Sequence, residues 1–170
     1  MAAPTPAASI VDVRHVHQCK PLLVALERTI ERRRRVRGRD EPLAVVLDID
    51  ETALLNRGSK VVRNSCVYVF YRKMLDLGVA VFFVTARSDT YRDHTASQLR
   101  RLGYDRYVQL HMMPERLHNP ATFKRDVRRS IVRAGYHVLA NVGDQWTDMD
   151  GGYYDLGIKL PEDDGEGATP

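Results

Sequence analysis

The sequence predicts an α/β fold, a three-layer sandwich whose mostly parallel sheet has five or more strands. Two observations predict it. Short apolar runs alternate along the chain with longer amphipathic segments, and strands buried on both faces of a parallel sheet are apolar throughout. The amphipathic segments have the length of the helices that cover such a sheet. The chain has 170 residues, which suits one domain.

Four amphipathic segments are predicted to be helices, and a glycine follows each of them, as is typical of a helix C-terminus. In chain order they are residues 19–37, 66–77, from Ser88 or Asp89 to 102, and 121–134. The first ends in a run of arginines, residues 32–35, whose charge suits the negative end of a helix dipole. We expect this run to be a solvated helix end, with contact to nucleic-acid phosphate as the alternative.

Five segments are predicted to be strands, and most of them are continuously apolar. In chain order they are residues 43–47, 79–84, 107–111, 137–142 and 154–160. The helices between them supply the crossover connections that parallel strands need. The polar segment 49–64, between the first strand and the second helix, is predicted to be a loop.

The ends of the chain are predicted to lie outside the domain. Residues 1–12 are expected to be a flexible N-terminus, residues 13–160 the single domain, and residues 161–170 a disordered acidic tail. The sequence shows no signal peptide and no apolar run of about 20 residues, so we expect a soluble, cytoplasmic protein without a membrane partner. Cys19 and Cys66 lie far apart in sequence and are interpreted as reduced thiols.

Polar side chains follow three of the predicted strands at the point where each strand ends. They are Asp48 and Asp50, then Thr85 and Arg87, then Asp144 and Asp148. The carboxyl ends of parallel strands meet at one edge of a sheet, and Lys124, near the start of a helix, can reach the same edge. Crowded carboxylates repel one another unless a cation lies among them. Oxygen ligands without a histidine or cysteine cluster favour Mg²⁺, and the nearby threonine, lysine and arginine suit a phosphate group.

These residues resemble the four motifs of the haloacid dehalogenase-like phosphohydrolases. The matching positions are DIDET at residues 48–52, Thr85, Lys124, and GDQWTD at residues 143–148. The runs DIDETALLN, VTARSD and TFKRDVRR are similar to the acid phosphatase branch of that superfamily, with its plant acid phosphatases, vegetative storage proteins and bacterial class B enzymes. The resemblance covers about residues 43–160 and implies a Rossmann-like fold.

The resemblance also implies a Mg²⁺-dependent phosphatase that works through an aspartyl-phosphate. Asp48 would be the nucleophile, and Asp50 the general acid and base. Mg²⁺ would be held by the Asp48 carboxylate, the Asp50 backbone carbonyl and Asp144, while Asp148 holds a coordinated water or orients the other ligands. The residues expected to bind the substrate phosphate are Thr52, Thr85, Arg87 and Lys124.

The chain departs from those relatives in its cap, because the short segment between Asp48 and Thr85 leaves only residues 53–65 for a minimal one. We therefore expect an open site that accepts large phosphorylated substrates or is covered by another subunit of a homo-oligomer. Two alternatives stay open: a polynucleotide-end phosphatase, which the net charge of +4 would suit, and a catalytically silent binding or storage protein. Trp146 is expected to be a packing residue beside the site.

Overall fold

The structure is a computed structural model that describes residues 8–38 and 40–162, except for the side chains of residues 16 and 17. The strands of its main sheet are β1 (Ser9–Asp12), β2 (Leu43–Leu47), β5 (Ala80–Ser88), β6 (Gln109–Met113), β7 (His137–Gly143) and β8 (Leu156–Lys159). All neighbouring strands are parallel, in the order β1-β8-β7-β2-β5-β6. A separate antiparallel hairpin is formed by β3 (Leu54–Arg57) and β4 (Lys60–Arg63). The predicted α/β sandwich is confirmed.

Helices cover both faces of the main sheet. They are α1 (Val16–Arg37), α2 (Ser65–Asp76), α3 (Arg92–Arg101), α4 (Pro120–Arg133) and α5 (Trp146–Met149), with a 3₁₀ turn at Asp89–Tyr91. Successive side chains of a strand point to opposite faces. Accordingly, Val45 and Leu47 of β2 pack in a core with α1, α2 and α3. Ala44 and Val46 pack in a second core with α4 and α5.

Side-chain caps begin two of the helices where the sequence predicts helix starts. The Asn64 side chain accepts hydrogen bonds from the backbone N–H groups of Cys66 and Val67, which begins α2. Asn119 accepts from the backbone N–H of Thr122, and Pro120 occupies the first turn of α4, where its missing N–H costs nothing. The Ser88 hydroxyl accepts from the N–H of Thr90, although it caps the 3₁₀ turn rather than α3 itself.

The structure differs from the sequence predictions in several segments. The predicted loop at residues 49–64 contains the β3–β4 hairpin. Its two strands form only four residue pairs, which is too short a stretch to show a periodic pattern in the sequence. Residues 9–12, expected to be flexible, form strand β1 by pairing with β8. Residues 1–7 and 163–170 lie outside the described residues, so the predicted flexibility of those ends stays a prediction. Strand β6 begins two residues later than predicted.

None of the helices within residues 8–38 and 40–162 is both long enough and apolar enough to cross a lipid bilayer.

Candidate active site

Three aspartates converge at the carboxyl edge of the main sheet. Asp48 directly follows β2, Asp144 directly follows β7, and Asp148 belongs to the short helix α5. The Asp48 backbone N–H donates to the carbonyl of Val142 over 2.9 Å, which continues the pairing of β2 with β7 up to the site. One carboxylate oxygen of each aspartate lies within 4.8 Å of the others, and all three residues are buried. We call these three residues the carboxylate cluster.

Lys124 contributes an ammonium group to the carboxylate cluster. It lies in α4 and is buried. Its Nζ donates to Asp48 Oδ1 over 2.8 Å and also to Asp148 Oδ1. Burial alone would lower the pKa of this ammonium, but Asp48 and Asp148 outweigh that effect and raise the pKa to about 12. Lys124 is therefore held charged and is fixed between two carboxylates.

The electrostatics of the cluster fit a divalent cation. Burial, reinforced by the charge of Asp148, raises the pKa of Asp48 to about 8, even though Lys124 lowers it. Burial also raises the pKa of Asp144. One ammonium cannot neutralise three buried carboxylates, and a hard divalent ion with oxygen ligands would remove the excess charge. The donor set therefore suits a hard divalent cation.

Hydrogen bonds from Gln145 and the space beside Gly143 fix the positions of Asp144 and Asp148. The backbone N–H of Gln145 donates to Asp148 Oδ2 over 2.9 Å, and its side-chain amide donates to Asp144 Oδ2 over 2.8 Å. Gly143 leaves the space that Asp148 occupies, because a Cβ added there would meet the Asp148 carboxylate and lie 2.5 Å from its Cβ. Gln145 and Gly143 act here through the aspartates they contact.

Thr52 has a different contact from the one predicted for it. We expected its hydroxyl to bind the substrate phosphate. Instead the side chain is buried, and its Oγ1 donates to Asp144 Oδ1 over 3.3 Å. In this contact the hydroxyl orients Asp144, and the role of Thr52 in binding the substrate phosphate stays a prediction.

Asp50 is not part of the carboxylate cluster, because Arg87 draws its carboxylate aside. Arg87 Nε lies 2.8 Å from Asp50 Oδ2, and Nη2 lies 2.7 Å from Asp50 Oδ1, which is a two-pronged ion pair. The Arg87 Nη1 donates to Gln98 Oε1 over 2.7 Å and to Thr95 Oγ1 over 3.3 Å. Arg87, predicted to bind phosphate, thus contacts Asp50 in the structure.

Strand β5 brings Thr85 and Arg87 to the site in an irregular way. The pairing of β5 with β6 shifts register between Thr85 and Ser88. Such an irregularity re-aims side chains at the end of a strand. Thr85 is buried, and its Oγ1 accepts from the backbone N–H of Arg87 over 3.2 Å. No hydrogen bond donated by this hydroxyl is found within residues 8–38 and 40–162, and its contact with a substrate phosphate stays a prediction.

The β3–β4 hairpin is the whole of the minimal cap. It follows Asp50 after the short turn in which Glu51 takes a positive φ of 52°. The Glu51 carboxylate then accepts from the backbone N–H of Asn56 over 2.8 Å and pairs with Arg57 over 3.2 Å. The base of the hairpin is closed by the N–H of Asn64, which donates to the carbonyl of Ala53 over 2.9 Å. The hairpin tip, residues 56–60, is exposed.

Trp146 differs from the sequence interpretation, and Arg128 is a residue of the site that the sequence analysis does not single out. Trp146, expected to pack beside the site, is 54% exposed, with Lys159 Nζ 5.6 Å from its ring centre. Arg128 is buried and donates to the backbone carbonyls of Asp148, Asp150 and Gly152. Arg128 lies four residues after Lys124 and therefore on the same face of α4. This spacing is the sequence feature from which its position near the site could have been predicted.

Residues 56–163 match the model of the family described as HAD superfamily, subfamily IIIB (Acid phosphatase). The match covers more than half of the chain and begins after the DIDET segment. It includes Thr85, Lys124, Asp144 and Asp148.

Plant proteins and one bacterial structure are similar to parts of the chain. Acid phosphatase 1 of Solanum lycopersicum is 32% identical over 81 residues, which are 46% of this chain and 32% of that protein. Vegetative storage protein 1 of Arabidopsis thaliana is 29% identical over 80 residues, 46% of this chain and 30% of that protein. The chain thus aligns with about a third of these relatives. The class C acid phosphatase from Bacillus anthracis has a similar fold, with a TM-score of 0.62 and 16% identity over 86% of this chain and 79% of that one.

Proposed function

We propose a function for this chain from its family, since it belongs to the HAD superfamily, subfamily IIIB, the acid phosphatases. In this proposal the chain is a Mg²⁺-dependent phosphomonoesterase that works through an aspartyl-phosphate. The family assignment confirms the resemblance seen in the sequence. The observation that carries the proposal is the contact of Lys124 with Asp48 inside the buried carboxylate cluster. This contact supports the proposal because it holds an ammonium beside a carboxylate that can act as nucleophile, within a cluster whose oxygens can bind a metal ion.

Asp48 is the proposed nucleophile. Lys124 holds its Oδ1, and the described residues make no hydrogen bond to its Oδ2, so that oxygen is free to attack phosphorus. The new bond joins Oδ2 to phosphorus, and the bond from phosphorus to the substrate oxygen breaks. Lys124 and the Thr85 hydroxyl stabilise the negative charge of the transferred phosphoryl group. Mg²⁺ held by the carboxylate cluster would supply further charge neutralisation when bound.

Asp50 is the proposed general acid and base. In its protonated form it gives a proton to the leaving oxygen, and as a carboxylate it then takes a proton from the water that hydrolyses the aspartyl-phosphate. The products are inorganic phosphate, the alcohol and the original Asp48 carboxylate. In the described state Asp50 is paired with Arg87 and 44% exposed. Asp50 gives up at least one of its two hydrogen bonds with Arg87 when it takes up its proton, because the protonated oxygen then donates instead of accepting.

The experiment that tests this proposal is hydrolysis of p-nitrophenyl phosphate by the wild type and by Asp48→Asn, each with Mg²⁺ and with EDTA. Asparagine keeps the shape of the side chain and removes the nucleophile. We expect Mg²⁺-dependent turnover that falls at least about 10³-fold in the variant. Asp105→Asn, at an exposed position away from the site, is the matched control and should keep full activity. A folded wild type that binds Mg²⁺ but turns over no phosphomonoester, small or polymeric, would support a silent binding protein.

A phosphorylated polynucleotide end is the second candidate substrate, and the edge around the site favours it. Exposed cations lie on the hairpin (Arg57, Lys60 and Arg63) and on the loop that follows β6 (Arg116), and two exposed aromatic side chains follow β5 and β7 (Tyr91 and Trp146). Cations contact phosphates, and aromatic rings stack on unpaired bases. Binding of a 5′-phosphorylated single-stranded DNA that weakens steeply with salt would support it. Weak binding that is insensitive to salt would leave small phosphomonoesters as the substrates.

A further inference from the structure

The two cysteines of the chain lie in contact, although 47 positions separate them in sequence. Cys19 belongs to the first part of α1 and Cys66 to the first turn of α2. Their Sγ atoms are 2.8 Å apart. Both cysteines are free thiols, as the sequence interpretation has them, and the structure adds that they face each other. A disulfide bond is about 2.05 Å long, so the two sulfur atoms need to move less than about 1 Å to form one.

The two thiols differ in exposure and in pKa, and these differences give them different roles in disulfide exchange. Cys19 is 4% exposed, whereas Cys66 is half-buried and can be reached from solvent. Cys66 follows the Asn64 cap at the positive end of the α2 dipole, where a thiolate is stabilised. The hydrogen bond from Cys19 lowers the pKa of the Cys66 thiol, and Lys20 acts in the same direction against burial. The pKa of Cys19 is raised, chiefly by that same hydrogen bond and by burial. Cys66 is thus the attacking thiol and Cys19 the resolving one.

We propose that Cys19 and Cys66 form a thiol–disulfide exchange site, which takes a low-molecular-weight disulfide such as oxidised glutathione and closes an intramolecular disulfide between α1 and α2. The Cys66 thiolate attacks one sulfur of oxidised glutathione, which releases one glutathione thiolate and leaves a mixed disulfide. Cys19 passes its proton to that thiolate and attacks Cys66 Sγ, which releases the second glutathione. Two protein thiols are oxidised, and one glutathione disulfide is reduced to two thiols.

Closing this bond ties the minimal cap to α1. Cys66 is two residues after Asn64, whose backbone N–H donates to Ala53 and closes the base of the β3–β4 hairpin. The bridge therefore restrains the chain next to the C-terminal end of the hairpin. It also closes a loop of the unfolded chain, which is the usual source of stabilisation by a disulfide.

The test equilibrates the intact wild-type protein in glutathione buffers of increasing oxidised fraction, quenches it with acid, and labels free thiols with a maleimide under denaturing conditions. As the oxidised fraction of glutathione rises, we expect mass spectrometry to show a monomer that carries neither the maleimide label nor a bound glutathione. After reduction, the monomer should carry two labels. The melting temperature should be about 5 to 10 °C higher in the oxidised form and return on reduction.

Two single variants check the assigned roles. In Cys19→Ser, the accessible Cys66 should accumulate as a mixed disulfide with glutathione. In Cys66→Ser, the buried Cys19 should stay a free thiol in the folded protein under the same conditions. The proposal is overturned if the wild type keeps two labelled thiols in oxidised glutathione, stops at a glutathione adduct, or forms disulfide-linked dimers instead.

Discussion

The Arg87 guanidinium contacts both carboxylate oxygens of Asp50, with Nε 2.8 Å from Oδ2 and Nη2 2.7 Å from Oδ1. Gln98 and Thr95 of α3 hold the guanidinium in turn. The proposed acid–base residue is therefore oriented by a residue that the sequence assigned to phosphate binding. Arg87 could act through Asp50, or it could bind the substrate directly once Asp50 has turned away, and these two roles predict different kinetics.

A double-variant cycle separates the two roles of Arg87. Asp50→Asn alone should lower kcat about 10² to 10⁴-fold, because it removes the acid–base group. If Arg87 only positions Asp50, adding Arg87→Gln to Asp50→Asn should change kcat and KM by less than about threefold. A further large rise in KM in the double variant would instead assign Arg87 to phosphate binding. Arg101→Gln, at an exposed position at the end of α3, should leave both constants unchanged.

Replacement of Lys124 should affect both folding and catalysis. Lys124→Met leaves Asp48 and Asp148 buried without their shared ammonium, so we expect the free energy of unfolding in EDTA to fall by about 3 kcal/mol. Mg²⁺ should recover part of this loss, and activity should stay low because the phosphoryl group loses a cation. Arg125→Met is the matched control, since Arg125 is partly exposed and pairs with its neighbour Asp126. Its unfolding free energy should change by less than about 0.5 kcal/mol. Equal losses in the two variants would contradict a site role for Lys124.

Gly143→Ala should damage the metal site specifically. The added Cβ would overlap the Asp148 carboxylate, so Asp148 must move away from Lys124 and from the backbone N–H of Gln145. We expect the affinity for Mg²⁺, measured by calorimetric titration, to fall at least about 10-fold. The far-ultraviolet circular dichroism spectrum should stay that of the wild type. Unchanged Mg²⁺ affinity would mean that Asp148 is not needed to hold the ion.

The stability of the metal-free protein should fall as pH rises, because burial and the charge of Asp148 raise the pKa of Asp48 from 3.8 to about 8. Between these two values the folded protein holds a proton that the unfolded chain has released. The stability that Asp48 contributes is therefore complete below pH 3.8 and is lost as pH rises through about 8.

Asp48→Asn should remove the part of this pH dependence that comes from Asp48, because asparagine carries no titrating charge, while Asp144 keeps its own raised pKa. In EDTA at alkaline pH we expect the variant to unfold at a higher temperature than the wild type, by an amount equivalent to about 1 to 3 kcal/mol. Saturating Mg²⁺ should stabilise the wild type more than the variant. A variant that melts below the wild type in EDTA across the whole pH range would show that the cluster is not electrostatically strained.

The sequence predicts the central elements well because their signals are local. The continuous apolar run of β2 and the Asn–Pro start of α4 each report on a few neighbouring residues, and both are found where they are predicted. The β3–β4 hairpin was missed since it has only four residues in each strand and mostly exposed side chains. Strand β1 was missed because its one partner, β8, lies at the other end of the chain.

The sequence by itself determined the layered fold and the order in which Asp48, Thr85, Lys124 and Asp144 reach one edge of the sheet, because parallel topology follows from the alternation of strands and helices. Only the tertiary structure decided which side chains touch. The pairing of Asp50 with Arg87, the turn of Thr52 toward Asp144 and the contact of Cys19 with Cys66 depend on rotamers and on packing between elements distant in sequence. Local sequence patterns carry no information on such contacts, since the interaction energy exists only after the elements have packed together.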